Sequence, residues 1–197
     1  MAIKETGKTI QRRISEGFFE KYCNGKGIDI GCFDEPLLPN IDLWDLRISP
    51  DMDAKFMNNV KNETYDFVYS SHCLEDIDEP KIALLNWYRI LKKGGYLILF
   101  LPHRDLFEHV HNLPSPCNSD HKHYFLIDKH EAPCTLGVIP LLAETLTDYD
   151  LLYVKKCEEG HKCTYVDRGE GWFSVISEGE YSIELVLKKG NDTQYFN

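Results

Sequence analysis

Gly27-Ile28-Asp29-Ile30-Gly31-Cys32 is the stretch on which the reading of this chain turns. A short apolar run ends in an acidic residue and a glycine. That is the pattern of a buried parallel strand feeding a tight turn beneath a nucleotide-like ligand. A glycine at such a turn lets the backbone approach the ligand with no Cβ in the way. Many strand ends carry a glycine, so the weight of the stretch depends on what surrounds it.

Upstream, Gln11 to Tyr22 places Ile14, Phe18, Phe19 and Tyr22 at helical spacing, and Asn24-Gly25 ends that helix. Downstream, Asn40–Trp44 reads as a second strand and Asp66–Ser70 as a third. Lys81 to Leu91 has helical period, with Ile82, Leu85, Tyr88 and Leu91 expected on one face, and Lys92-Lys93-Gly94-Gly95 stops it. Tyr96–Leu101 is a buried strand closed by Pro102. Strand–helix–strand alternation of this kind predicts a parallel sheet covered by helices on both faces. From 103 to 135 the periodicity fails in a stretch rich in His, Pro, Asn and Asp, too long for a casual connector. Leu141–Leu146 then suggests a helix. Leu151–Lys156 and Tyr181–Lys188 suggest an antiparallel hairpin on the sheet edge.

The chain has 197 residues, 43% of them hydrophobic, which suits one domain with a real core. No apolar run approaches the roughly 20 residues of a membrane span, and Met1 to Arg13 lacks a signal-peptide core. A soluble, cytoplasmic protein is expected. The net charge of -10 opposes a duplex-binding surface, so no nucleic-acid partner is expected. Lys4, Lys8, Arg12 and Arg13 read either as a solvated helix face or as a lid or anion contact over a site. The 7 cysteines, odd in number and without a Cys-x-x-Cys pair, argue for reduced thiols.

Ligands of open α/β sheets sit outside the carboxyl ends of the strands. Those ends carry Asp29, Gly31, Asp42, Ser71-His72 and Pro102-His103, with Asp53-Ala54 preceding the third strand. A carboxylate at the second strand can take two ribose hydroxyls. Asp29-Ile30-Gly31-Cys32, Asp42, Asp53-Ala54, the block Tyr65–Ile77 and the block Trp87–Gly95 together resemble class I S-adenosylmethionine-dependent methyltransferases. The resemblance covers residues 10–105 most strongly. It implies a three-layer Rossmann-like α/β sandwich with a mostly parallel seven-stranded sheet and an antiparallel C-terminal hairpin strand. One domain, 1–197, is expected, with 1–25 as an N-terminal helix or lid and 103–135 as an acceptor-side insertion. The cofactor implied is S-adenosyl-L-methionine, held by Asp29, Gly31, Phe33, Asp42, Asp53, Ala54, Ser71 and His72.

Two positions depart from that family's pattern. Phe33 stands where a second glycine is usual, so the backbone must take another path there or Phe33 must pack on the cofactor. The crossover from Gly31 to Ile41 is too short for a helix, which makes Asp45 a competitor of Asp42 for the ribose. Asp29 and His72 could also serve as caps for nearby backbone.

The segments Pro102–Glu108 and Leu113–His123 resemble a narrower, glycan-associated group of methyltransferases. That implies methyl transfer to a hydroxyl of a small molecule, a sugar or glycan. A hydroxyl acceptor calls for a base near neutrality, which favours histidine. His121, beside Asp120, is the first candidate and His103 the second. The pairs His109-x-His111 and His121-x-His123 admit a chelating reading, but no metal is expected. The alternatives are a non-catalytic Rossmann-like binding domain and an N-methyltransferase acting on a small metabolite. A nicotinamide enzyme is disfavoured by the absence of Gly-x-Gly-x-x-Gly.

Overall fold

The computed structural model describes residues 5–169 and 172–191. Three short helices, α1 (Glu5–Lys8), α2 (Ile10–Ser15) and α3 (Phe18–Tyr22), lead into β1 (Gly27–Ile30), β2 (Asp42–Trp44) and β3 (Tyr65–Ser71). After a single 3₁₀ turn at Leu74–Asp76 come α4 (Pro80–Ile90), β4 (Leu91–Pro102), α5 (Arg104–Phe107), β5 (Tyr124–Leu126) and β6 (Thr135–Gly137). The chain continues through α6 (Val138–Thr145), β7 (Tyr149–Cys157), β8 (Lys162–Gly169), β9 (Trp172–Glu178) and β10 (Ser182–Lys189).

The central sheet runs β2-β1-β3-β4-β10-β7. The first four strands are mutually parallel, and β10 pairs antiparallel with both β4 and β7, so it alone is reversed. This is the expected α/β architecture with its antiparallel C-terminal strand. β8 and β9 form a separate hairpin in the connection between β7 and β10. One apolar cluster, centred on Ile28, Val68, Trp87 and Leu99, lies under α4 and α6. A second, with Phe18, Phe67, Tyr69 and Phe100, lies under the N-terminal helices. The helix α4 buries Ala83, Leu84, Trp87 and Ile90, while Leu85 is 52% exposed, so its core stripe is offset from the one read in the sequence.

Among the described residues the main sheet has six strands, not seven. No strand lies outside β2, and residues 45–64 form turns. Backbone carbonyls there still need donors. Side chains supply them. Trp87 Nε1 donates to Ala54 O at 2.8 Å and Asn86 Nδ2 to Lys55 O at 3.0 Å. Arg89 donates to Met57 O at 3.0 Å and Val60 O at 2.7 Å. One face of α4 thus replaces the hydrogen bonds that an outer strand would have provided.

The N-terminal basic residues are not a solvated face. Arg13 and Glu184 are fully buried and Arg12 nearly so. Arg13 Nε lies 2.6 Å from Glu184 Oε1, Arg12 Nη1 2.7 Å from Glu184 Oε2, and Arg12 Nε 3.1 Å from Glu180 Oε1. Tyr69 and Tyr153 hydroxyls accept from Arg13 and Arg12 at 3.2 Å. Lys4 lies outside the described residues. Removing one partner of a buried ion pair leaves an uncompensated charge, at a cost of about 3–5 kcal/mol. Glu184→Ala is therefore expected to lower unfolding stability by about 3 kcal/mol or more in a urea titration.

Candidate active site

The carboxyl ends of the parallel strands are level, since Ile30 pairs with both Trp44 and Ser70. Gly31 follows with φ of 79°, and its N–H donates to Trp44 O at 2.8 Å. A Cβ at Gly31 would sit 2.5 Å from Cys73 Cβ, so conformation and space both demand glycine. Two residues later Phe33 also adopts the left-handed region, with φ of 43°. The chain thus takes the backbone path of a second glycine with a side chain attached, a strain on the order of 1 kcal/mol.

Asp45 accounts for that path. Its Oδ2 accepts from Phe33 N–H at 3.0 Å and its Oδ1 from Arg47 N–H at 2.8 Å. The Arg47 guanidinium then lies over the Phe33 ring, 4.4 Å from its centroid.

Two cavities open at these strand ends. One of about 370 Å³ is walled by Gly31, Asp45, Asp53, Ala54, His72 and Asp76, among others. The other, about 400 Å³, is walled by Thr6, Asp29, Phe33, Asp34, Glu35 and Ser71, among others. Gly31, Arg47 and His72 line both.

Seven of the eight expected cofactor residues lie on these walls, and Asp42 does not. Asp42 opens β2 at the amino end of the strand, away from the cavities, where Tyr65 Oη donates to it at 2.9 Å and Lys26 lies 3.1 Å away. The strand is three residues long, and its cavity end is Trp44-Asp45. Asp45, the competitor, lines the first cavity where Asp42 does not. Asp53 Oδ1 accepts from Lys55 N–H at 2.7 Å, which fixes its turn.

Asp29 is 1% exposed. Its Oδ2 accepts from Leu37 N–H at 2.7 Å, capping the short crossover. Its Oδ1 has no hydrogen-bond partner among the described residues. Burial pushes this carboxyl up to about 7. The cap engages one oxygen of the side chain and leaves the other without a partner among the described residues. His72, with φ of 47°, places Nε2 3.0 Å from Ser182 Oγ and so ties β3 to β10.

The histidine expectations change more. His121 is buried, and its Nδ1 hydrogen-bonds the Glu108 carboxylate, whose other oxygen receives Ser115 Oγ. Asp120 is exposed and is not the orienting partner. His121 Nε2 faces Glu75 at 3.9 Å and Asp76 at 4.0 Å. It stands behind Asp76, which lines the first cavity. Burial pushes the Asp76 carboxyl up, and His121 opposes that shift. His103 accepts Asp105 N–H at Nδ1 and caps α5, burial pushes it down to about 4, and it lines neither cavity. The paired histidines diverge: His123 Nε2 meets Asp78 O at 3.1 Å, and His111 Nδ1 faces Glu131 at 3.8 Å. Glu108, Asp76 and Arg47 were not singled out in the sequence. Glu108 and Asp76 stand inside quoted motifs, and Arg47 stands two residues after Asp45.

Residues 47–99 match the methyltransferase domain family. No curated protein matches the chain. Among solved structures, an S-adenosylmethionine-dependent methyltransferase of Thermotoga maritima, described as a possible histamine N-methyltransferase, superposes with a TM-score of 0.51 at 16% identity. The alignment covers 92% of this chain and 97% of that one. A candidate methyltransferase from Bacillus halodurans gives 0.56 at 15% identity, over 85% and 94% of the two chains. A methyltransferase from Archaeoglobus fulgidus gives 0.51 at 16%, over 92% and 94%.

The fold is therefore that of class I S-adenosylmethionine-dependent methyltransferases. The matched segment, which contains Asp53-Ala54 and the Ser71–Ile77 block, supports S-adenosylmethionine as the cofactor. The cavity fits it. The orphaned Asp29 oxygen and the neighbouring carboxylates suit a ligand bearing a sulfonium and an ammonium.

Two outcomes follow from this geometry. Asp45→Ala is expected to weaken S-adenosylmethionine binding about tenfold or more in calorimetric titration, whereas Asp42→Ala leaves it unchanged. Asp29 has its folded pKa raised, so the native state holds more protons than the unfolded chain between pH 3.8 and about 7. Its contribution to stability is present below that window and is lost as pH rises through it. In denaturant titrations of the ligand-free protein, the stability of Asp29→Asn relative to wild type is expected to rise across this window and level off above it.

Proposed function

We propose that this protein transfers the methyl group of S-adenosylmethionine to a hydroxyl of a small molecule, a sugar or glycan, bound above the ends of β3 and β4. The observation that carries this reading is the Glu108–His121–Asp76 series, which runs from a buried carboxylate to the wall of the cofactor cavity. The cofactor supplies an electrophilic methyl group on a positive sulfur. With the cofactor bound, the acceptor oxygen would bond that methyl as the S–CH₃ electron pair returned to sulfur. The hydroxyl proton must leave, and the carboxylate–histidine series is a place for it. Glu108 fixes the His121 ring by its Nδ1 and leaves Nε2 directed at Asp76. Gly31, Asp45, Asp53 and Ala54 would hold the adenosine end, and Asp29 the amino-acid end. The resemblance of the 102–123 segment to glycan-associated methyltransferases is what favours a sugar.

An amine acceptor is the second reading. The description of the T. maritima protein favours it. Incubation with S-adenosylmethionine and a panel of nucleotide sugars, free sugars and primary amines, read by mass gain of one methyl, separates the two. Methylated amines with untouched sugars would reverse the assignment, and cofactor binding with no product from any member would favour the binding-domain alternative. On the productive acceptor, His121→Asn and Glu108→Gln are each expected to lower kcat about 100-fold, with cofactor affinity retained. Unchanged kcat in both would remove the series from the mechanism.

A further inference from the structure

The second cavity carries an unequal set of charges. Among the described residues its walls hold three carboxylates, Asp29, Asp34 and Glu35, and one permanently cationic side chain, Arg47. The amino-acid end of S-adenosylmethionine has the matching set, an ammonium beside the sulfonium and one carboxylate. Arg47 forms no ion pair among the described residues, although the chain carries ten more acidic than basic side chains. Its guanidinium is instead held against the Phe33 ring, and its backbone shares the Asp45 carboxylate with Phe33. Stacking leaves the in-plane N–H donors of a guanidinium available for a planar anion.

We infer that Arg47 is the receptor for the cofactor's carboxylate, and that Phe33, in the place of a glycine, is the platform that aims it. The inference rests on the cofactor reading above. Arg47 borders both cavities, so one side chain reaches the amino-acid end while Asp45, two residues earlier, reaches the ribose. The Asp45 carboxylate keeps lone pairs for the ribose after taking two N–H groups. The two anchor points are thus built from one turn.

The test is calorimetric and needs no acceptor. S-adenosylhomocysteine and 5′-methylthioadenosine share the adenosine and sulfur, but only the first has the amino-acid end. Arg47→Ala is expected to weaken S-adenosylhomocysteine about tenfold or more, with 5′-methylthioadenosine within about twofold of wild type. Arg47→Lys should recover part of the loss, and Phe33→Leu should reproduce part of it. Equal losses for both ligands, or none for either, would overturn the inference while leaving the cofactor reading intact. Wild-type protein that binds neither ligand at millimolar concentration would overturn the cofactor reading, and the inference with it.

Discussion

A carboxylate near the start of β10 sets the terms for the rest of the molecule. Glu184 is fully buried, and a buried charge persists only when paired and hydrogen-bonded. Both of its oxygens face guanidinium groups from α2. The three short N-terminal helices would be marginal alone. They become part of the fold because this sheet strand requires their cations. With α2 in place, Phe18 covers the aromatic face of β3 and β4, and Thr6 becomes a wall of the second cavity. The site is therefore roofed by an electrostatic obligation arising far away in sequence.

What the sequence displayed well was local and periodic. Runs such as Gly27–Ile30 and Tyr96–Leu101 are strands because both faces are buried, and the crossover after Gly31 is too short for a helix. What it hid depended on distance. Arg12 and Arg13 look like a solvated face until Glu184, 171 residues from Arg13, is brought beside them. Asp120 neighbours His121 along the chain, yet the ring turns away from it toward Glu108, 13 residues back. The second strand ends at Trp44 as its apolar run suggested but starts two residues later, at Asp42, so it is Asp45 and not Asp42 that stands at the cavity. The α4 stripe was misplaced for a related reason. Helical period admits adjacent stripes, and the indole of Trp87 chose the one that reaches Ala54.

The cavity walls show the same division. The constraints on Gly31 and Asp29 were legible because steric and dielectric demands act on single residues. Phe33 looked like a defect in the motif. In the structure its ring and the Arg47 guanidinium form one stacked unit held from below by Asp45. An acidic protein thereby keeps the Arg47 cation at a carboxylate-rich strand end.

The segment outside β2 has a thermodynamic consequence. Its carbonyls are satisfied by indole, amide and guanidinium groups of α4 in place of a strand's continuous ladder. Side-chain donors of this kind tether a turn at separate points. The same turn forms the outer wall of the first cavity. Any ligand that fills the cavity adds its own contacts to a margin with few others, so occupancy and local folding of the sheet margin become a single linked equilibrium. Turns stand at this edge in place of a strand, and a ligand in the cavity would become part of the outermost layer of the fold.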